Sequence, residues 1–442
     1  MNAPTASPGA PQPAADAHAR RLALWITVVV VLLSRVAYWP AHVVGKDSPQ
    51  YFNSLHLDST YNVPMPGNIG WVLSAKAFTL AGLSPLNAYT LVSILVSTIG
   101  AAFLFLLCSL FLRPWTAAGV ALAAALSTVV WYHAIPVMSY ETWICIPPAI
   151  AYFGVRYWRE RNLNLLYLAA LATGIGTILR PDMVITGGVV LGGVLLLGRA
   201  PLVRGWGVCE IICAICCCVW FFTTAFVIGS VPKYLDMVRH QSEFVYSFSA
   251  SSKGIFEGLL RNGGKFGMIY GWGAAFVALP AAWGLGLLLR RLRSNLRGAI
   301  LGAVMLAPSL YFGIWLFMGN AGLVLPAVVA SFVLAGFAFD RSFKNPRHAA
   351  IAIGVVGLLG ALQFILTPIL PERNQRDVVL NVTLFRYSGA GITHAYNFNL
   401  VDYGIDSSLK NVLKQVRNPE PIPHPPEIDP RTGMPVSQPI PE

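Results

Sequence analysis

Residues 87–112 read "NAYTLVSILVSTIGAAFLFLLCSLFL", a stretch without a single charged side chain. An α-helix needs about 20 consecutive apolar residues to cross the ~30 Å hydrocarbon core of a bilayer. This stretch therefore predicts a transmembrane helix. Similar apolar runs precede and follow it, so the sequence predicts an all-α polytopic membrane protein.

The composition of the whole chain supports this interpretation. Its 442 residues are 55% hydrophobic and 11% charged, whereas soluble domains carry about 25% charged residues. The net charge of +12 comes largely from connectors between apolar runs, where basic residues set the orientation of the helices. The charge therefore indicates a lipid bilayer, and not a nucleic acid, as the partner.

About eleven transmembrane helices are predicted. We place them at 22–40, 87–112, 116–135, 142–157, 164–180, 183–198, 207–229, 268–289, 299–318, 322–338 and 349–369. With the N-terminus in the cytoplasm, the connectors after every second helix are the basic ones, as the positive-inside rule requires. The long loops then lie on the outer face.

This frame divides the chain into five parts. Residues 1–21 are a disordered cytoplasmic N-terminus, 22–229 the first transmembrane module, 230–267 an outer-face loop, 268–370 the C-terminal transmembrane helices, and 371–442 an outer-face tail with a disordered end. Long loops on one face of a scaffold usually carry the chemistry, so we expect the site on the outer face.

The first outer loop contains an acid in "VVGKDSPQYFNS" (43–54). Ser48-Pro49 is a helix-start pair, which predicts a short interfacial helix directly after Asp47. The carboxylate could serve chemistry there. The alternative is that Asp47 only complements the dipole of that helix.

A second acid lies in "STVVWYHAIPVMSYETW" (127–143), between the third and fourth spans. Glu141 would face Asp47 across an outer cleft. The alternative is a structural one, in which Ser139 caps the fourth helix and Glu141 lies in its first turn.

Three cations on the same face are candidates for binding a phosphate. Arg180 lies in the tight turn "TILRPDM" (177–183), and we expect its guanidinium to emerge at headgroup depth, unless Asp182 holds it in a local pair. Arg261 and Lys265 lie in "RNGGKFG", which predicts a flexible, cationic loop. His240, in the same loop, is more typical of a surface or packing histidine.

These features together resemble the GT-C superfamily of integral-membrane glycosyltransferases, which includes protein O-mannosyltransferases and lipid A aminoarabinose transferases. The family places an acid in the first outer loop, as "GKDSPQY" does here. It then has a Pro-Gly segment leading into an interfacial helix, and "VPMPGNIGWVLSAKAF" (63–78) looks like that element without its His. In "VWYHAIPVMSYETW" (130–143), Trp131, Ala134 and Glu141 match, and Arg180-Pro181-Asp182 resembles a later family turn.

The resemblance implies transfer of a sugar from a polyprenyl-phosphate donor to a glycan, lipid or protein acceptor, with inversion at the anomeric carbon. The resemblance makes Asp47 the catalytic acid and matches Glu141, which we also expect in catalysis. A donor phosphate needs cations at the outer interface, and Arg180, Arg261 and Lys265 are our candidates for that role. The remaining residues expected to bind substrate are Tyr51, Trp131, His133, Asp182 and His240. It also implies a bacterial inner membrane, with the site on the periplasmic face and the catalytic module at 22–229.

Two questions stay open at this point. The family's paired "DE" is "KDS" here, so the need for a divalent metal is undecided. Other function classes are a lipid-linked glycan polymerase or ligase, a transporter or flippase, and a non-catalytic scaffold. A transporter would place ionisable residues within its spans and would often show inverted repeats; the predicted spans are almost free of charge except at their ends.

Overall fold

The computed structural model describes residues 14–36, 51, 54–55, 68–134, 139–247, 249–316 and 321–366. Within these ranges every regular element is helical. The α-helices are α1 (Ala14–Val36), α2 (Ile69–Leu80), α3 (Pro85–Cys108), α4 (Pro114–Leu126), α5 (Thr128–His133), α6 (Thr142–Glu160), α7 (Leu163–Leu179), α8 (Met183–Gly198), α9 (Val208–Ile228), α10 (Val231–Ser247), α11 (Ile255–Gly273), α12 (Ala278–Arg290), α13 (Leu292–Leu310), α14 (Leu325–Ser342) and α15 (Pro346–Leu366).

Local sequence signals explain where several of these helices begin. Ser84 caps α3 by accepting a hydrogen bond from the Asn87 amide, and Pro85 occupies the first helical position. Asn162 caps α7 in the same way through the Asn164 amide. π-helical turns adjoin α9 and α13, at Leu202–Gly207 and Tyr311–Leu316, and short 3₁₀ turns lie at Ala250–Lys253 and Ala321–Val324.

Four helical stretches are long and apolar enough to cross a membrane: Pro85–Cys108, Leu202–Ile228, Leu296–Leu316 and Gly322–Ser342. The other predicted spans correspond to helices at similar positions, several of them shorter than a full crossing. The protein is therefore a multi-pass integral membrane protein, as predicted, while the number eleven stays a prediction.

Three boundaries differ from the sequence prediction. Helix α1 begins at Ala14, so residues 14–21 are helical and not disordered. The predicted span 268–289 is interrupted between α11 and α12. The predicted loop 230–267 is mostly helical, and "RNGGKFG" lies inside α11. Glycine has a low helix propensity, but the residues on both sides of this segment are helical and the helix continues through it.

Helix α6 lies at the centre of the bundle and packs against α3, α7 and α8. Small residues allow the close approaches: a Cβ at Gly154 of α6 would lie 2.4 Å from Val194 of α8. In a membrane the hydrophobic effect does not drive helices together, so their association depends on close packing. Small residues allow that close packing. Helix α2 is pinned to the end of α7 in the same way, since a Cβ at Gly70 would lie 2.6 Å from the Ile178 carbonyl oxygen.

Candidate functional site

The centre of the candidate site is Glu141, at the N-terminal end of α6. Its side chain is fully buried. Neither carboxylate oxygen has a hydrogen-bond partner within the described part of the chain. Burial raises the pKa of the Glu141 carboxyl well above its usual range, and the charges of Arg180 and Arg35 oppose this shift. The structural alternative placed Ser139 at the N-cap and Glu141 in the first turn, whereas here Glu141 itself occupies the N-cap position, without a side-chain cap bond.

Arg180 is held on three sides next to this acid. Its Nε donates to both carboxylate oxygens of Asp182 at 2.8 Å, and its Nη1 donates to Ser139 Oγ at 3.1 Å. The guanidinium carbon lies 4.2 Å from the centre of the Tyr140 ring. The side chain is only 2% exposed, so it does not emerge from the protein as expected, and its depth in the membrane stays a prediction. The local pair with Asp182 was the alternative, and the structure has it.

The backbone explains the position of Arg180. It follows the last residue of α7 in an extended conformation (φ −155°, ψ 118°), which is the conformation that a following proline favours. The turn at Pro181 then brings Asp182 within reach of the arginine that precedes it. Asp182 occupies the N-cap position of α8 without a side-chain cap bond, since its carboxylate is used by Arg180.

Arg35 is a second buried cation, which sequence reasoning missed. It projects from the last turn of α1, where its Nη2 donates to the Ala125 carbonyl at 2.6 Å and its Nη1 to Ser34 Oγ at 2.8 Å. It is the only charged residue in the predicted span 22–40. An ionisable residue inside a membrane segment is by default a sign of a functional site, so the signal was present.

The predicted residues Trp131 and His133 lie near this cluster. The indole nitrogen of Trp131 donates to the Ser34 carbonyl at 3.4 Å, one residue before Arg35. The His133 ring meets Tyr140 edge-on at 5.8 Å between centres, and its Nδ1 lies 2.7 Å from the Val129 carbonyl oxygen. Both belong to the short helix α5, which brings them to the same end of the bundle.

Tyr51 links the predicted first outer loop to the same cluster. Its hydroxyl accepts a hydrogen bond from Asn68 Nδ2 at 2.6 Å and lies 3.4 Å from Ser139 Oγ. Its carbonyl accepts a hydrogen bond from the Tyr89 hydroxyl at 2.7 Å. Ser139 is thus shared between Tyr51 and Arg180. Asp47, four residues before Tyr51, lies outside the described residues.

Helix α11 reaches the cluster through an intermediate turn. It packs against the 3₁₀ turn Ala321–Val324, and a Cβ at Gly322 would lie 2.3 Å from the Tyr140 ring. Arg261 and Lys265 are four residues apart on α11, so they lie on one face of that helix. Their role in binding the phosphate stays a prediction.

His240 does not belong to the cluster. It lies on α10 with a 71% exposed side chain, 3.6 Å from the Asp236 carboxylate one turn earlier. The sequence favoured a surface or packing position for His240, and the structure has the surface position. These contacts give no support to its assignment to substrate binding. The contacts give no support to a metal site either. Among the described residues, no three His, Cys, Asp or Glu side chains come together.

Comparison with known proteins bears on the fold. The sequence matches no protein-family model and no curated protein. Two crystal structures of ArnT from Cupriavidus metallidurans do match, one bound to undecaprenyl phosphate and one in the apo state. Their TM-scores are 0.53 and 0.54 at 15% and 16% sequence identity. The matches cover 87% and 86% of this chain and 75% and 74% of the ArnT chains.

The chain has a fold similar to that of the ArnT structures. The resemblance deduced from the outer-loop motifs is thereby confirmed at the level of the fold. At this low identity the roles of single residues rest on the contacts of this chain. Glu141 and Arg180, which come from two separate sequence motifs, meet in one buried cluster of this fold.

Proposed function

We propose that this protein is a membrane glycosyltransferase that takes its sugar from a polyprenyl-phosphate donor and transfers it to an acceptor on the outer, periplasmic face. The observation that carries the proposal is the buried cluster of Arg35, Glu141 and Arg180 within a GT-C-like fold. Buried charges at the edge of a membrane are costly, and their retention is best explained by chemistry. The undecaprenyl phosphate in one ArnT structure supports a polyprenyl phosphate as the lipid partner.

The reaction needs a base for the acceptor hydroxyl and cations for the leaving phosphate. Asp47 removes the proton of an acceptor hydroxyl, and the resulting oxygen forms a bond to the anomeric carbon. The bond from that carbon to the phosphate oxygen breaks, and the polyprenyl phosphate leaves with the electron pair. Attack opposite the leaving group inverts the anomeric carbon. The cations stabilise the negative charge on the leaving phosphate.

Arg180 is suited to the phosphate task because its position is fixed before the donor arrives. Asp182, Ser139 and Tyr140 hold its guanidinium, so little side-chain entropy is lost on binding. A phosphate would share or replace the carboxylate of Asp182 as its partner. Arg261 and Lys265 add charge from α11. Glu141 orients the acceptor, or shares a divalent metal where one is required.

The decisive experiment uses Asp47. A strain lacking the protein is complemented with the parent, with Asp47→Asn, or with Asp58→Asn, a control acid of the same loop, and its envelope glycans are analysed by mass spectrometry. We expect the parent and the control to restore the missing sugar. Asp47→Asn should lower transfer by about 10²–10⁴, the usual contribution of a general base, at normal protein levels. Full restoration by Asp47→Asn would remove this residue from catalysis.

The phosphate assignment has its own test. Binding of a short-chain polyprenyl phosphate is measured with Arg180→Gln, Arg261→Gln and Lys265→Gln, and with the exposed Arg239→Gln as the control. Loss of a hydrogen bond to a charged group weakens binding by about 1.5–3 kcal/mol. If all variants bind like the parent, the phosphate lies elsewhere.

Two other classes predict different results. A glycan polymerase or ligase also uses a lipid-linked donor, but loss of the protein would shorten or detach a polymer instead of removing a single sugar. A flippase would move a labelled polyprenyl-phosphate sugar across a vesicle membrane without an acceptor. Glycan analysis of the strain lacking the protein therefore tests the first class, and the purified protein in vesicles tests the second.

A further inference from the structure

A cavity of about 490 Å³ lies between α1, α3 and α6. Its polar lining consists of Arg20, Ser109, Tyr152, Arg156, Arg159 and Glu160, and two leucines at the end of α3 complete the wall. Three of these six polar residues are arginines. The cavity therefore differs in chemistry from the apolar contacts that surround it.

The cavity is far from the candidate glycosyltransferase site. Glu141 and Arg159 are at opposite ends of α6, 18 positions apart, and a helix rises about 1.5 Å per residue. The two are thus separated by about 27 Å along the axis, close to the ~30 Å thickness of the hydrocarbon core. Arg20 and Arg35 likewise lie near opposite ends of α1. The cavity is at the opposite end of the bundle, which the sequence assigns to the cytoplasm.

The charges that line the cavity are not balanced by its own side chains. Arg156 forms a two-bond ion pair with Glu160, at 2.6 and 2.7 Å. Among the described residues, the one hydrogen bond from Arg159 goes to the Leu110 carbonyl at 2.6 Å, and Glu160, already paired with Arg156, also attracts it. Within the described ranges no hydrogen bond or ion pair involves the Arg20 side chain, and Arg20 lies close enough to Arg159 for the two charges to repel. Three arginines against one glutamate leave a net charge of +2.

The surroundings of the cavity are apolar and exposed. Leu106 and Leu110 form its wall on α3, Phe111 beyond them is 46% exposed, and Trp25, just over one turn after Arg20 on α1, is 66% exposed. Tryptophan is typical of the interface between headgroups and acyl chains. A ligand bound here would have a negative group in the cavity and an apolar part along the helices.

We infer that this cavity binds the phosphate of an anionic lipid, with its acyl chains along α1 and α3. Basic cavities between transmembrane helices at the cytoplasmic face suit such headgroups. The bound phosphate would lie between Arg20 and Arg159 and offset their repulsion. A zwitterionic lipid carries its own cation and would leave the charge of the cavity unbalanced.

The test compares two pairs of arginines in the full-length protein. Arg20→Gln with Arg159→Gln removes two charges from the cavity. Arg293→Gln with Arg297→Gln removes two exposed charges from α13, on the same predicted face. Each protein is purified in a neutral detergent and titrated with phosphatidylglycerol or phosphatidylcholine, and bound lipids are counted by native mass spectrometry.

We expect the parent and the α13 pair to bind phosphatidylglycerol alike, and the cavity pair to bind it about tenfold more weakly or worse. Phosphatidylcholine should bind weakly to all three, and excess inorganic phosphate should not displace the lipid. Equal weakening in both pairs would mean that phosphatidylglycerol responds to the overall positive charge of this face of the protein. That result would overturn the site. Displacement by inorganic phosphate would overturn the lipid assignment. If the double variant does not fold, Arg20→Gln alone decides, since no described contact depends on that side chain.

Discussion

The contact between Gly322 and Tyr140 offers a sharp test of how Arg180 is positioned. An added Cβ at residue 322 would lie 2.3 Å from two atoms of the tyrosine ring and 2.8 Å from its Cβ. Ordinary van der Waals contacts begin at about 3.5 Å, so the ring must move by about 1 Å. The ring lies 4.2 Å from the Arg180 guanidinium, and its displacement would weaken that contact.

The size of the effect can be estimated term by term. Overpacking a well-packed site costs about 1–3 kcal/mol, and a desolvated cation–π contact contributes about 2 kcal/mol. Replacing glycine by alanine at an allowed backbone conformation adds about 0.4–1 kcal/mol of stability, because alanine reduces the conformational freedom of the unfolded chain. Gly322→Ala should therefore lose about 2–4 kcal/mol of stability. The control, Gly302→Ala on α13, has open space around its Cβ and should lose nothing.

The assay is thermal unfolding of the purified protein in one detergent, combined with a double-mutant cycle. Tyr140→Gly removes all three atoms that the new Cβ would meet, so Gly322→Ala should cost almost nothing in that background. The coupling between the two changes should then account for nearly the whole loss. An equal loss with and without the tyrosine ring would show that residue 322 does not act through Tyr140, and the account of Arg180 positioning would be wrong.

Three further outcomes are expected. Arg180→Lys keeps the charge but loses the planar fork, so polyprenyl phosphate binding should fall almost as far as in Arg180→Gln, and parent-like binding would contradict this. Asp340→Asn weakens the acceptor that Arg113, just before α4, and Thr116 of α4 share at 2.9 and 2.6 Å. The protein should lose about 1.5–3 kcal/mol of stability, seen as a lower thermal midpoint, without a change in phosphate binding. Cysteines introduced at Ser59 and Ser408 should react with an impermeant thiol reagent from outside intact cells, whereas one at Ser294 should not; labelling at Ser294 would reverse the predicted topology.

The sequence predicts the helices well because length and lack of charge determine which segments enter a bilayer. Residues 87–112 correspond closely to α3. The segment "RNGGKFG" misled because its glycines favour a loop locally, while the packing of α11 against neighbouring turns favours a helix. Local preference is a weak guide where tertiary contacts are extensive.

The candidate site was predicted in part for a similar reason. Motif spacing selected Tyr51, Glu141, Arg180 and Asp182, and the structure places Tyr51 and Arg180 on the same serine. The burial of Arg180 could not be foreseen, since it depends on a ring and a hydroxyl from a distant connector. Arg35 was overlooked because it lies inside an apolar span, outside every motif.

Helices α1 and α6 each carry charged residues near both ends, with Arg20 and Arg35 on one and Glu141 and Arg156 on the other. Moving either helix along the membrane normal by a single turn, about 5.4 Å, would drag a charge towards hydrocarbon at one end. Piston-like sliding is therefore costly for both helices. Any rearrangement that admits a substrate must rely on tilting or rotation of these two helices, or on the segments between them.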